Sequence, residues 1–204
     1  LCRPCLAKLS YIEAACPTCG IPLLVSQQFC GQCLQFKNPL HRVYPTFIYE
    51  DKIKDAILQL KYHNGLYFID SLARLMQHQL KTKYRMQPWP QALISVPLHP
   101  QKMRQRGYNQ SLELSLSLSK LTKIPEQSKL ARKIKKTADQ ATLPLDERKQ
   151  NVKGAFVALK KIPKHIAIID DVMTTGETVQ QLARALKKNG AKKIDVWCLA
   201  RACF

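Results

Sequence analysis

The chain has 204 residues, 46% of them hydrophobic, enough for one good-sized domain and a small extra module. No apolar run approaches the ~20 residues of a membrane-spanning helix, and no secretory leader opens the sequence. Lys and Arg number 33 against 14 Asp and Glu, a net charge of +19. Such an excess points to a polyanionic partner (nucleic acid, a phosphorylated metabolite or an acidic membrane surface) or to a generally basic, solubilising surface. Leu1 in place of Met, with Cys2 at once behind it, is expected of a chain that continues upstream.

Six of eight cysteines fall within the first 33 residues, as CRPC, CPTCG and CGQC. Cys2, Cys16 and Cys30 share a spacing of 14, and so do Cys5, Cys19 and Cys33. A C-x-x-C turn aims two thiolates at one ion, and two such turns complete a closed, tetrahedral, structural zinc site. A disulfide framework would suit a small secreted domain, and a thioredoxin-like redox pair would be a single C-x-x-C. The expected site is Cys16, Cys19, Cys30 and Cys33, with Cys2 and Cys5 as half of another. Cys198 and Cys203, in an apolar C-terminal stretch, read as buried thiols.

The composition changes near residue 40, giving a cysteine-rich zinc-ribbon-like module at 1–40 and a second domain at 41–204. In DKIKDAILQLKY (51–62), Ile53, Ala56, Ile57 and Leu60 share a helical face, with Asp51 as a cap. Asn64-Gly65 marks a turn, and FIDSLARLMQHQL repeats the helical spacing. After the proline-rich QPWPQ, ALISV reads as a short buried strand. In NQSLELSLSLSKL (109–121) the leucines alternate, as in a strand, but leucine favours helix and no residue is β-branched, so a helix is expected. A basic stretch from 120 to 164 includes a possible strand in GAFVALKKI. HIAIID is a buried strand, ETVQQLARALKKNG a helix and KIDVWCLARA a last strand. This alternation predicts an α/β domain with a mainly parallel sheet flanked by helices.

The chemistry concentrates in IAIIDDVMTTGETV. Ligands of open parallel sheets sit outside the carboxyl ends of the strands, where Asp170 and Asp171 are placed. The next loop runs into a helix N terminus, whose N–H groups and dipole favour an anion. Gly176 admits close approach, and the hydroxyls of Thr174, Thr175 and Thr178 add donors. The loop reads as a phosphate cradle. The two carboxylates suit the paired hydroxyls of a ribose, and favour a nearby cation such as Mg²⁺. The bland alternative is an acidic turn capping the helix.

The same stretch resembles the phosphoribosyl-pyrophosphate (PRPP) motif of type I phosphoribosyltransferases. The wider chain is similar to the ComF family of competence-associated, phosphoribosyltransferase-like proteins. The order of the cysteine pairs, LKYHNG (60–65), SVPLHPQKMRQRGYNQS (95–111), KKTADQATLPLDERKQNVKGAF (135–156) and the PRPP motif carries the similarity. The resemblance implies that Asp170 and Asp171 contact ribose hydroxyls. Val172, Met173, Thr174, Thr175, Gly176, Glu177 and Thr178 would form the rest of the ribose-phosphate site, with Mg²⁺ accompanying PRPP. Metabolic members often carry Lys-Gly or Arg-Gly in the pyrophosphate loop, where this chain has PLHPQKMRQRGYNQ. Pro97, Lys102, Arg104, Arg106, Tyr108, Lys61 and Lys133 are the candidates for pyrophosphate or DNA phosphates. His99 either moves protons or is merely solvated, and no strong nucleophile is evident. Two functions follow from the resemblance. One is a cytoplasmic competence protein that handles incoming single-stranded DNA in natural transformation, alongside other competence proteins. The other is a metabolic phosphoribosyltransferase of nucleotide salvage.

Overall fold

The computed structural model describes residues 3–25, 28–35, 38–62, 65–136 and 152–203. Cys2, Asn64 and residues 137–151 of the 135–156 segment lie outside these residues. Four strands form one parallel sheet in the order β1 (Arg42–Ile48), β6 (Lys193–Arg201), β5 (His165–Met173), β2 (Ala92–Ser95). The central pair reads as nearly unbroken apolar sequence because both faces are covered. Ile166, Ile168, Ile194, Val196 and Cys198 face one core, and Ala167, Ile169, Trp197 and Leu199 face the other.

On the second face pack α3 (Asp51–Tyr62), α4 (Ile69–Lys83) and α6 (Gln110–Thr122). Their apolar stripes are those of the sequence: Ile53, Ile57 and Leu60 on α3, and Ile69, Leu72, Ala73 and Met76 on α4. In α6, Leu114 and Leu118 are buried, Leu112 is half-buried and Leu116 is exposed. The alternating leucines are thus spread around a helix, as leucine's propensity favours. Asp51 is the first residue of α3 and sits at φ 41°. The other face is covered by α7 (Glu177–Lys188) and by an antiparallel hairpin of β3 (Ala131–Lys133) and β4 (Phe156–Ala158). The strand suspected in GAFVALKKI is thus only three residues long.

Two elements were hidden in the sequence. β1 contains Pro45, which cannot donate to a ladder and argues against a strand. It is accommodated on the last strand of the parallel sheet, where the other side of β1 meets the cysteine module: Ile12 N–H donates to the Thr46 carbonyl and Ile48 N–H to the Ser10 carbonyl. The segment after β2 holds α5 (Pro100–Arg106), started by proline and ended by Gly107. The preceding α1 (Arg3–Leu6) and α2 (Gly31–Gln35) are short helices within the module. Among the described residues, no helix is long and apolar enough to cross a membrane.

At the amino-terminal end of the sheet, the fully buried Asp195 carboxylate accepts from Tyr84 Oη at 2.5 Å and meets His165 Nε2 at 2.8 Å and His41 Nδ1 at 2.9 Å. Trp197 Nε1 donates to the same Tyr84 oxygen at 3.0 Å. Burial, and then the Asp195 charge, push the Tyr84 hydroxyl up, so it stays a donor. This network ties β5, β6, α4 and the chain entering β1 together at the end remote from Asp170 and Asp171.

Candidate functional site

β5 does not stop at its aspartates. It continues to Met173 beside β6, while β2 ends at Ser95 opposite Ile169. Asp170 and Asp171 therefore lie on a strand that has lost its neighbour on one side, at the carboxyl edge where ligands of parallel sheets bind. The place of the lost neighbour is taken by the chain leaving β2, whose Val96 N–H donates to the Ile169 carbonyl at 3.0 Å.

Both aspartates are buried, Asp170 with 8% and Asp171 with 9% of the residue exposed. Asp170 Oδ1 accepts from Ser111 Oγ at 3.1 Å and from the Asp171 N–H at 3.0 Å. Asp171 Oδ1 accepts from the Val172 N–H at 2.9 Å, and its Oδ2 stands 3.1 Å from Lys61 Nζ. Burial, reinforced by the charge on Asp171, holds the Asp170 carboxyl well above the ordinary carboxylate range. Burial also opposes ionisation of Asp171, but the Lys61 ammonium outweighs it and holds that carboxyl below its usual value. Burial disfavours the Lys61 charge in turn, and Asp171 more than restores it. In the free site, burial thus disfavours a charge on Asp170, while the Lys61 ammonium favours one on Asp171.

The sequence Tyr108–Ser111 assembles this arrangement. Tyr108 Oη and Gln110 Nε2 both donate to the Leu60 carbonyl, which fixes the last turn of α3 and with it Lys61. Asn109 caps α6 through the Ser111 N–H at 3.1 Å, while its amide donates to the Val96 carbonyl at 3.0 Å. Ser111 then reaches Asp170. Gly65 closes the same corner: a Cβ there would stand 2.9 Å from the backbone of Gln59.

The loop Thr174–Gly176 enters α7 with Gly176 at φ 81° and no side-chain cap on the helix. A Cβ on Gly176 would meet only the flexible Met173 methyl, at 2.7 Å, so it is the positive φ that favours glycine here. Thr175 Oγ1 stands 3.5 Å from the Glu177 N–H, and one Glu177 carboxylate oxygen is buried with no hydrogen-bond partner among the described residues. The first turn of a helix such as α7 offers N–H groups that have no acceptor within the helix.

Arg201, at the end of β6, holds the loop in place and was not expected from the sequence. Its Nη1 donates to the carbonyls of Met173 (3.1 Å), Thr174 and Ala202 (2.6 Å), and its Nε to the carbonyl of Cys19 (2.9 Å). One buried guanidinium therefore links the loop after β5 to the cysteine module.

In that module the thiols of Cys16, Cys19, Cys30 and Cys33 lie within 4.8 Å of one another. A tetrahedral site with Zn–S near 2.3 Å spaces its sulfurs about 3.8 Å apart, so the four thiols fit one ion. Burial would raise the Cys16 thiol, but N–H donation from Cys30, Cys19 and Thr18 brings it to about 7. The remaining thiols divide: Cys5 belongs to α1, Cys198 is buried in β6, and Cys203 is exposed, contrary to the buried-thiol expectation.

The remaining sequence candidates fall as follows. Lys61 joins the site as the partner of Asp171, and Pro97 follows the Val96 that adjoins Ile169. Tyr108 is committed to Leu60, and Arg106 donates to Gln110 Oε1 at 3.0 Å. Lys102 is half-buried and Arg104 exposed on α5, while Lys133 is buried with its ammonium 5.6 Å from the centre of the Phe156 ring. His99 caps α5, accepting from the Gln101 N–H at 3.3 Å.

The protein is thus a parallel α/β sheet with a buried carboxylate pair at its carboxyl edge, joined through Arg201 to a four-cysteine cluster. No family model matches the chain. It is 34% identical over 204 residues to DNA utilization protein YhgH of Escherichia coli (strain K12), covering 98% of this chain and 90% of that one. Competence protein F of Haemophilus influenzae is 33% identical over 215 residues, 99% of this chain and 90% of that one. Competence protein ComFC of Streptococcus pneumoniae is 26% identical over 98% of this chain and 87% of that one. The chain belongs to the family of these proteins, the ComF family. Among solved structures, a purine phosphoribosyltransferase from Pyrococcus horikoshii matches with a TM-score of 0.41 and 21% identity, over 66% of this chain and 74% of that one.

The two aspartates are predicted to respond oppositely to amidation. The raised Asp170 contributes stability that is present below the ordinary carboxylate pKa of ~3.9 and lost as pH rises through its folded value. The depressed Asp171 contributes stability that is present above ~3.9 and lost as pH falls through its folded value. At neutral pH, Asp170→Asn will be at least as stable as the parent to denaturant, and Asp171→Asn will be less stable. The reverse order would contradict the pairing of Lys61 with Asp171.

Proposed function

We propose that the domain at 41–204 binds a phosphoribosyl ligand such as PRPP, and that the protein uses this site while handling incoming single-stranded DNA in natural transformation. The observation that carries the first half is the buried carboxylate pair set against the glycine-turned N terminus of α7. Asp170 and Asp171 would take the ribose hydroxyls, and the N–H and hydroxyl donors of residues 174–178 the 5-phosphate. Perturbed carboxyls at a strand end mark a functional site more often than a structural one. Because Lys61 occupies Asp171 in the free site, ligand entry displaces its ammonium, which is then free to meet the ligand's pyrophosphate.

Mg²⁺ fits this site as a companion of the ligand. Hard carboxylate oxygens are at hand, but Asp171 is already paired with Lys61 and burial disfavours a charge on Asp170, so the ion enters with PRPP and neutralises its charge. Zn²⁺ is the ion that four clustered thiols fit best, in a closed structural site within the module at 1–40. The DNA role is supported by the names of the relatives, DNA utilization protein and Competence protein, and by the net charge of +19. Cytoplasmic work beside other competence proteins belongs to the same reading.

Calorimetry with PRPP and Mg²⁺ tests the ligand. The parent protein will bind, and Asp170→Asn with Asp171→Asn will weaken binding at least about 100-fold while the fold is kept, since each lost charge-assisted hydrogen bond is worth roughly 1.5–3 kcal/mol. Equal affinity in the double variant would remove the ribose from these carboxylates. Elemental analysis of the purified protein will find zinc, and Cys19→Ser will lower it. A folded, metal-free module would refute the zinc assignment.

A further inference from the structure

The amino-terminal edge of the sheet, opposite the ribose-phosphate loop, carries a groove of about 1080 Å³ rimmed by Lys129, Lys160, Lys161 and Lys164. Two segments deliver these lysines: Lys129 lies just before β3, and Lys160, Lys161 and Lys164 lie between β4 and β5. The Leu159 N–H donates to the Leu130 carbonyl at 2.8 Å, which sets Lys160 beside Lys129 across the β3–β4 hairpin. The Ile162 N–H donates to the Asn189 carbonyl at 2.9 Å, and the N–H groups of Lys192 and Lys193 to the Lys164 carbonyl at 2.8 Å. The C-terminal end of α7, with Lys187 and Lys188, is thereby drawn to the same edge.

The four rim lysines are exposed, and none has an ion pair among the described residues. No acidic residue occurs at 127–136, 152–169 or 178–194, the segments that build this edge. The one carboxylate on the lining, Glu126, is engaged by the Ser128 N–H at 2.8 Å and by the Ser128 hydroxyl. Between the lysines the lining is largely apolar, with Leu130, Ile162 and Pro163 beneath them.

We propose that this groove is a second anion site, which holds the phosphodiester backbone of a single DNA strand. A single strand presents phosphates at intervals together with the exposed apolar faces of its bases, which matches cationic rims over an apolar floor. A duplex hides those faces in its stack, and a bilayer surface offers no edge to enter a concavity. No aromatic side chain lines the groove, so binding is independent of sequence and rests on phosphate contacts. Lys164 lies about 20 Å from Asp170 along β5, taking ~3.3 Å per strand residue, so strand and ribose ligand bind at opposite edges without competing. The inference rests on the DNA-handling reading and adds to it a place on the molecule.

The test uses the full chain and a mixed-sequence single-stranded oligonucleotide over about 50–200 mM salt. K160Q/K161Q/K164Q, with an unfolding curve and PRPP affinity like the parent's, will lose at least about tenfold in DNA affinity, and its log–log salt slope will flatten by roughly 2, at ~0.7 per lost phosphate contact. K160R/K161R/K164R will keep both. Parent-like DNA affinity and slope in the glutamine variant overturn the groove while leaving the DNA reading standing. A parent protein that binds no single strand at the lowest salt overturns both. Loss of binding to phosphatidylserine vesicles, with DNA binding kept, overturns the inference and assigns the groove to a membrane surface.

Discussion

Two carboxylates buried side by side cannot both be charged without a cation beside them. At Asp170 and Asp171 the tension is relieved by Lys61 for one carboxyl and by a raised pKa for the other. The site's architecture follows from maintaining that arrangement. α3 must end beside β5, so Tyr108 and Gln110 grip the Leu60 carbonyl in its last turn. α6 must start against Asp170, so Asn109 caps it while holding the chain leaving β2. Such a pair is costly as structure and useful as a receptor for hydroxyls and a cation, because a ligand that brings both relieves the burial penalty.

The loop after β5 depends on a different bond set. Arg201 reaches carbonyls on both sides of the 173–174 turn and one carbonyl of the cysteine cluster. The module is thereby bonded to the domain through its Cys16–Cys19 turn as well as along β1, where the 10–12 and 42–48 segments share backbone hydrogen bonds. A structural ion in the four thiols would stabilise the Cys19 carbonyl that Arg201 uses.

Much of this was legible in the sequence, for physical reasons that can be named. β5, β6 and α7 read clearly because an apolar strand, a glycine turn and an amphipathic helix each leave a local signature. The cysteine cluster read clearly because its spacing repeats. β1 was hidden by Pro45, and α5 by its shortness between Pro100 and Gly107. The bracket at 108–111 was visible as a motif, but its meaning was not. Tyr108 bonds a carbonyl 48 residues away and Ser111 a carboxylate 59 away, and no periodicity reports such pairings. Lys61 was a candidate for phosphate, and its pairing with Asp171 in the free protein had no signature in the sequence. Arg201 looked like an ordinary strand-end cation, since its partners are carbonyls, which carry no sequence signature.

The central claim is that Asp170, Asp171 and the 174–178 loop receive one ribose 5-phosphate. A crystal structure with PRPP and Mg²⁺ tests it most directly. The account predicts ribose hydroxyls on the two carboxylates, the 5-phosphate on the first-turn N–H groups of α7, and Lys61 moved off Asp171. A ligand bound elsewhere, with the Lys61–Asp171 pair intact, would contradict it.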